Sequence, residues 1–303
     1  MDLQALRYFR IVAREGSFSQ AAQKLNYAQS NLSTKIRQLE CELETPLFRR
    51  HAHGVTLTEK GESLLAYADR LVHLLEEAES VVRDDGTANG SLSVGSMESA
   101  AITFIPALLA EYHRRCPGVS LTVKTGVSEA SMRSVLDGTL DGAFVAGATG
   151  HAELSSVPVR RERLALFSAA GTETTMTVAD LLAGPLLVLP HGCSYRQSLE
   201  QWLDAERIFP ERAVEFDSIG ALLASVSAGL GAALFPESLA SVYTAAKGLI
   251  CHAVPEPYAW ADISFVWRRD RFMDSTFRSF LGLLRETGKA GKENDISHTK
   301  IPR

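Results

Sequence analysis

Residues 58–83 read TEKGESLLAYADRLVHLLEEAESVVR, and within them Leu64, Ala68, Leu71, Leu75, Ala78 and Val82 recur at intervals of four, three, four, three and four. That period specifies a helix with one apolar seam, sustained over nearly three heptads. At 1.5 Å per residue it is on the order of 40 Å long. So long an apolar edge needs a surface to cover it. A second copy of the chain is the favoured reading, and packing on its own domain is the alternative. DDGTANGS (84–91) then breaks the helix and reads as a linker. The chain is thereby divided into a short N-terminal part and a long C-terminal one.

Before the seam, three short helices are predicted over about 3–15, 19–25 and 29–43. Ser19 suits the N-cap of the second, and Ala21 and Ala22 let another helix approach closely. Only 26–28 separate the second and third, which is helix–turn–helix spacing. In the third helix Leu32, Ile36, Leu39 and Leu43 form an apolar stripe. Ser30, Thr34, Arg37 and Gln38 lie opposite, with Asn31 at the flank. A solvated face usually carries Glu and Lys; short polar groups plus one Arg suit base edges and phosphates. The segment RRHAHGVTLTEKG, with Gly54 among polar and β-branched residues, predicts a small hairpin, or wing. Charge agrees modestly: residues 1–60 carry +3 and the remainder −8, within a net −5.

From residue 91 strands alternate with helices, which predicts an α/β layout with a largely parallel sheet. Strands are expected at SLSVGS, VSLTVKTG, DGAFVAG, LALFSA, PLLVLP, AVEFD, AALFP and ISFVWR. Helices are expected at 100–115 (interrupted or begun near Pro106), 129–136, 194–205, 218–228 and 276–286. From Gly288 the polar, aperiodic sequence reads as a loose tail. The longest apolar run, 219–235, contains three glycines and two serines and ends at Pro236. It reads as a buried helix and strand rather than a membrane span. No signal peptide is visible, and Cys41, Cys116, Cys193 and Cys251 form no CxxC pair. A cytoplasmic protein without metal or cofactor is the plain reading.

Two strand-to-helix corners could hold a small anion. One is GSMES, with Ser96 and Ser99; the other is HGCSYR, with Cys193, Ser194, Tyr195 and the cation Arg196. The serines serve equally as helix caps, and Arg196 equally as a surface ion pair. Packing is favoured over redox sensing for Cys193. HGCSYR is not a GxSxG elbow, and GLGAAL lacks the third glycine of a dinucleotide loop. No catalytic residue is assigned. The alternative is a small-molecule-binding protein or enzyme without DNA binding.

SFSQAAQKL, QSNLSTKIRQLE, PLFRR and LTEKGESLL together resemble the N-terminal domain of LysR-type transcriptional regulators. IPALLAEYHRRCPGVSLTVKTG and VSAGLGAALFP resemble parts of the family's effector domain, so the likeness runs over about residues 1–287. It implies a winged helix–turn–helix (1–58), a long linker helix and hinge (59–90), and a periplasmic-binding-protein-like effector domain (91–290). That domain would have two Rossmann-like subdomains, about 91–162 with 266–290, and 163–265, leaving 291–303 as a tail. A homodimer or homotetramer, duplex DNA with a pseudo-palindromic site and a small carboxylate effector are implied partners, with no membrane. The expected DNA-binding set is Ser19, Gln29, Ser30, Asn31, Ser33 and Thr34, with Lys35, Arg37, Arg49 and Arg50 for phosphates and His53 of the wing. His51 accompanies His53. The resemblance brings the corners face to face, adding Gly126, Ser128 and Ser218 to Ser96, Ser99, Cys193, Ser194, Tyr195 and Arg196. The chain departs from the family at Ala28, a position often holding a capping Ser or Thr, at Asn31, usually Ala, and at Glu44, usually Gly.

Overall fold

A computed structural model describes residues 1–51, 54–147, 149–171, 177–242 and 248–297, with 289–297 as helical backbone. Two compact units divide the chain, Met1–Arg83 and Asp84–Arg303.

In the first unit α1 (Leu3–Glu15) is closed at both ends. The Asp2 carboxylate accepts from Ala5 N, and Gly16 takes a left-handed φ of 60°. Helix α2 (Phe18–Lys24) is capped by Ser17, whose hydroxyl accepts from Gln20 N. Ser19, the expected cap, lies inside the first turn. Asn26 turns the chain with a φ of 50°, a conformation Asn tolerates, and α3 (Gln29–Glu42) follows. Leu32, Ile36 and Leu39 are buried, whereas Leu43 is the exposed C-cap and ends the apolar stripe one position early. The core gathers Phe9, Phe18 and Phe48 about these residues, with Ala21 and Ala22 fully enclosed. Each large apolar side chain buried this way contributes about 1.5–3 kcal/mol.

The wing is the hairpin β1 (Phe48–His51) and β2 (Gly54–Leu57). Val55 N donates to Gly16 O, which ties the hairpin to the end of α1. A Cβ on Gly54 would lie 2.4 Å from that same Gly16 oxygen, and Gly54 has a φ of +138°. Glu40 of α3 accepts from Leu47 N and Phe48 N, so the third helix also anchors the wing's first strand.

Helix α4 (Glu59–Arg83) starts on Thr58, whose hydroxyl accepts from Gly61 N and donates to Pro46 O. Its seam differs from the expected one. Ala68 and Val72 are buried, Leu64 packs on the unit's own core, and Asp69 pairs with Arg10 and Arg14 of α1. The uncovered apolar face is instead Tyr67 (62% exposed), Leu71 (41%), Leu74 (55%) and Val82 (86%), with exposed Ala78 between them.

In the second unit β3 (Gly90–Ser96) lies between β4 (Val119–Thr125) and β5 (Gly142–Ala146), parallel to both. Helices α5 (Glu98–Thr103) and α6 (Ile105–Arg115) replace the single helix expected there; Pro106 sits in the first turn of α6. Helix α7 is Ser128–Leu136. Strand β6 (Leu154–Ala169) is sixteen residues long. Next come α8 (Val178–Ala183), β7 (Pro185–Val188), α9 (Ser194–Glu206), β8 (Arg212–Glu215), α10 (Ile219–Ser227) and β9 (Ala233–Pro236). The chain closes with α11 (Ser238–Val242), β10 (Leu249–Ala253), β11 (Trp260–Arg268) and α12 (Ser275–Ser297).

The expectation of a largely parallel sheet is corrected. Strands β7 and β8 are parallel, but β6 runs antiparallel to β9, β10 and β11, and β11 runs antiparallel to β5. The first half of β6 is missed because SSVPVRRER carries exposed arginines between its buried positions. Both β6 and β11 run unbroken across the expected subdomain boundaries, so the two halves share strands. Helix α12 continues to Ser297, past Gly288 where a tail was expected.

Glu44, where the family usually has Gly, holds a left-handed φ of 51°. Glu44→Gly is expected to stabilise the N-terminal unit by about 1 kcal/mol. Gly54→Ala is expected to destabilise it by about 2 kcal/mol, through the clash and the positive φ. Thermal melts of the full chain check both; equal melting temperatures would contradict the strain assigned here.

Candidate functional site

On the first unit, Gln29, Ser30, Asn31, Thr34, Lys35 and Arg37 are exposed on α3, and Ser33 is half-buried. Ala28 gives α3 no side-chain cap, so its first-turn N–H groups stay available to an anion. Ser19 of α2 donates to Gln29 Oε1 at 3.2 Å, leaving the Gln29 amide NH2 as a donor. Thr34 is partly committed, because its hydroxyl donates to Ser30 O at 2.9 Å. Arg50 is the best-held cation. Its guanidinium lies 4.7 Å from the centre of the Phe18 ring and donates to Ser33 Oγ at 3.3 Å. The wing strand thus places a fixed fork of donors beside α3. Arg49 is exposed on the same strand. His53 lies outside the described residues. The contribution of Glu40 was not legible in the sequence: it orients β1, and with it Arg50, through two backbone N–H groups.

In the second unit, the first turns of α5, α7, α9 and α10 meet around a cleft of about 280 Å³. None of the four is capped by the side chain of its own N-cap residue. Of the nine residues expected here, Ser99, Gly126, Ser128, Cys193, Ser194 and Tyr195 line the cleft. Ser96 is buried, and its hydroxyl donates to Met97 O. Ser218 is exposed at the start of α10. Arg196 is turned to other partners. It donates to Glu200 at 2.8 Å, Glu215 at 2.6 Å and Leu189 O at 3.0 Å, and lies 2.9 Å from His191 Nε2. It forms the ion pairs of the alternative reading. Met97, Glu98, Thr125, Val127, Leu189, Pro190, Asp217 and Ile219 complete the lining. Glu98 lies inside the GSMES corner but was not singled out there, and Ile219 carried no motif of its own.

The two sides of the cleft are bonded to each other. Ser99 Oγ and Tyr195 OH are 3.0 Å apart, Ser194 Oγ donates to Ala146 O at 2.6 Å, and Ile219 N donates to Glu98 Oε2 at 3.1 Å. Burial raises the Cys193 thiol above its ordinary value and outweighs the nearby backbone donors and Arg196, so a reactive thiolate is disfavoured. Burial also pushes the Tyr195 phenol up, and the charge of Glu162 adds to this. Glu162 itself is buried on β6. Desolvation raises its carboxyl above the ordinary range, and among the described residues Oε2 has no hydrogen-bond partner.

A winged helix–turn–helix joined to an α/β unit with a cleft at its strand-to-helix corners defines a DNA-binding regulator that carries its own ligand-binding domain. Residues 3–62 match the bacterial regulatory helix-turn-helix protein, lysR family, and residues 85–289 match the LysR substrate binding domain. The HTH-type transcriptional regulator CzcR of Bacillus anthracis is 39% identical over 286 residues, covering 94% of this chain and 98% of CzcR. GltR of Bacillus subtilis (strain 168), also an HTH-type transcriptional regulator, is 36% identical over 94% of this chain and 97% of its own. The fold is shared with CbnR, a LysR family transcriptional regulator. Its crystal structure superposes with a TM-score of 0.70 at 22% identity, over 95% of this chain and 99% of that one. Full-length CbnR complexed with its target DNA gives 0.69 at 22% identity, over 95% of this chain and all of that one. The chain belongs to the LysR family of transcriptional regulators: it is a DNA-binding regulator with an effector-binding domain.

Because Glu162 has a raised carboxyl in the folded chain, the native state binds more protons than the unfolded one above the ordinary carboxylate range. Stability therefore falls as pH rises through that window. Glu162→Gln is expected to stabilise the chain at pH 7 by on the order of 1 kcal/mol. At pH 4 the gain should be absent, because there the wild-type carboxyl is already protonated. Denaturant melts at the two pH values check it; an equal shift at both would contradict the assignment.

Proposed function

We propose that two copies of this chain join along α4 and present two α3 helices to successive major grooves of a pseudo-palindromic site. Pairs of such dimers then make a tetramer. The reading is supported chiefly by the uncovered apolar face of α4, from Tyr67 to Val82, together with the polar ridge of α3. CbnR, which shares the fold, binds its target DNA as the full-length protein. Gln29 and Asn31 read base edges; Lys35, Arg37, Arg49 and Arg50 hold phosphates, with Ser19, Ser30, Ser33 and Thr34 hydrogen-bonding at close range. His53, outside the described residues, is proposed as a further member of the set.

The effector is a small molecule bearing a carboxylate, bound in the cleft between the subdomains. Its anion is received by the first turns of α7 and α9, where Ser128 and Ser194 also line the wall. The cleft's size suits a small metabolite, since it lies near the low end of the range for ligand pockets. Effector binding shifts a two-state equilibrium in the angle between the subdomains, and the ligand must favour one state to do so. The protein works in the cytoplasm without turnover of its ligand. Among the described residues no helix is long and apolar enough to cross a membrane.

The deciding experiment is a footprint of the full chain on the DNA upstream of its own gene, repeated across salt concentrations. A protected, dyad-related pair of half-sites is expected, with affinity falling steeply as salt rises. Arg50→Ala is expected to lower affinity about tenfold or more, nearly alike on specific and non-specific DNA, and to reduce the salt slope by about one per half-site. An unchanged slope, or no protection at low salt, would overturn the DNA-facing assignment.

A further inference from the structure

The charged side chains of the cleft point to a feature of the ligand beyond a carboxylate. Glu98 and Asp217 line the cleft, and among the described residues no Lys, Arg or His does. Arg196, the cation nearest in sequence, is consumed by Glu200 and Glu215. Glu98 already places one carboxylate oxygen on Ile219 N at the start of α10, so that helix terminus is taken by an internal anion. Asp217 precedes the same helix, is exposed, and has no hydrogen-bond or ion-pair partner among the described residues. A ligand carrying only carboxylates would add negative charge beside two others with no cation to offset it. A ligand that also carries an ammonium group turns both into attractions.

The two kinds of group sit on different elements. Ser128 of α7 and Ser194 of α9 lie at first turns whose N–H groups favour an anion, while Asp217 and Glu98 meet at α10. Met97, Val127, Leu189 and Ile219 supply apolar wall. Resting on the reading of this cleft as the effector site, we infer that the effector is an α-amino acid or a close analogue. Its carboxylate lies toward α7 and α9, and its ammonium toward Asp217 and Glu98. Asp217 sets the preference, because its carboxylate is uncommitted.

The test is calorimetric titration of the full-length protein with a panel of α-amino acids and the matching carboxylic acids that lack the amino group. At least one amino acid is expected to bind roughly tenfold or more tightly than its des-amino partner. Asp217→Asn, a surface change that spares the core, is expected to erase most of that ratio while keeping carboxylic-acid binding. Des-amino acids binding as well as amino acids to the wild type would overturn the proposal. So would a panel with no amino acid bound at millimolar concentration, or a ratio unchanged in both Asp217→Asn and Glu98→Gln. Leu189→Trp separates the two levels of inference. It fills the cleft, so whatever binds the wild type there must be lost; binding that survives it places the ligand elsewhere and removes the cleft reading itself.

Discussion

The organising constraint is an apolar edge without a cover. Helix α4 uses one side to hold its own unit together, through Ala68, Val72 and the Asp69 pairs with Arg10 and Arg14. Tyr67, Leu71, Leu74 and Val82 are left facing water on another side. Four large apolar side chains at helical spacing are costly to expose, each forgoing about 1.5–3 kcal/mol of burial. A second α4 supplies the missing surface with no further machinery. The same pairing answers an electrostatic shortage. The polar ridge of α3 in one copy offers few cations, and phosphate contacts scale affinity by their number. Two copies double that number and impose dyad symmetry on the site.

Several polar bonds of the first unit tie α1, α3 and the wing to one another. Gly16 O receives Val55 N, Glu40 receives Leu47 N and Phe48 N, and Phe18 stacks under Arg50. Helix α3 and the wing therefore share one frame. In the effector domain the bonds Ser99–Tyr195, Ser194–Ala146 and Glu98–Ile219 hold the two sides of the cleft together.

Much of this was legible in the sequence, and the misses have physical causes. The stripe Leu32, Ile36, Leu39 fixed the buried side of α3, and Gly54 marked the wing. Heptad spacing located α4 and placed Leu71, Ala78 and Val82 on its exposed face, whereas Leu64 and Ala68 of the same seam pack on the core of their own unit. The cap fell on Ser17 rather than Ser19, two residues of the same chemistry. Arg196 was expected in the cleft because its neighbours are there, yet its partner Glu215 lies on β8, which local sequence could not reveal. Strand β6 hid behind its arginines. Six of the nine expected cleft residues meet because strand-to-helix corners are readable; Glu98 and Ile219 meet only through the fold.

The central claim is that the exposed face of α4 delivers recognition helices in pairs. The direct measurement is the mass of the complex between the full-length protein and a duplex carrying its protected site, for wild type and Leu74→Glu. The account predicts an even number of chains per site for the wild type, and for the variant a folded monomer with affinity at least a hundredfold weaker, roughly the loss of one of two linked contacts. A wild-type complex containing one chain, or a Leu74→Glu complex equal to wild type in mass and affinity, would contradict it.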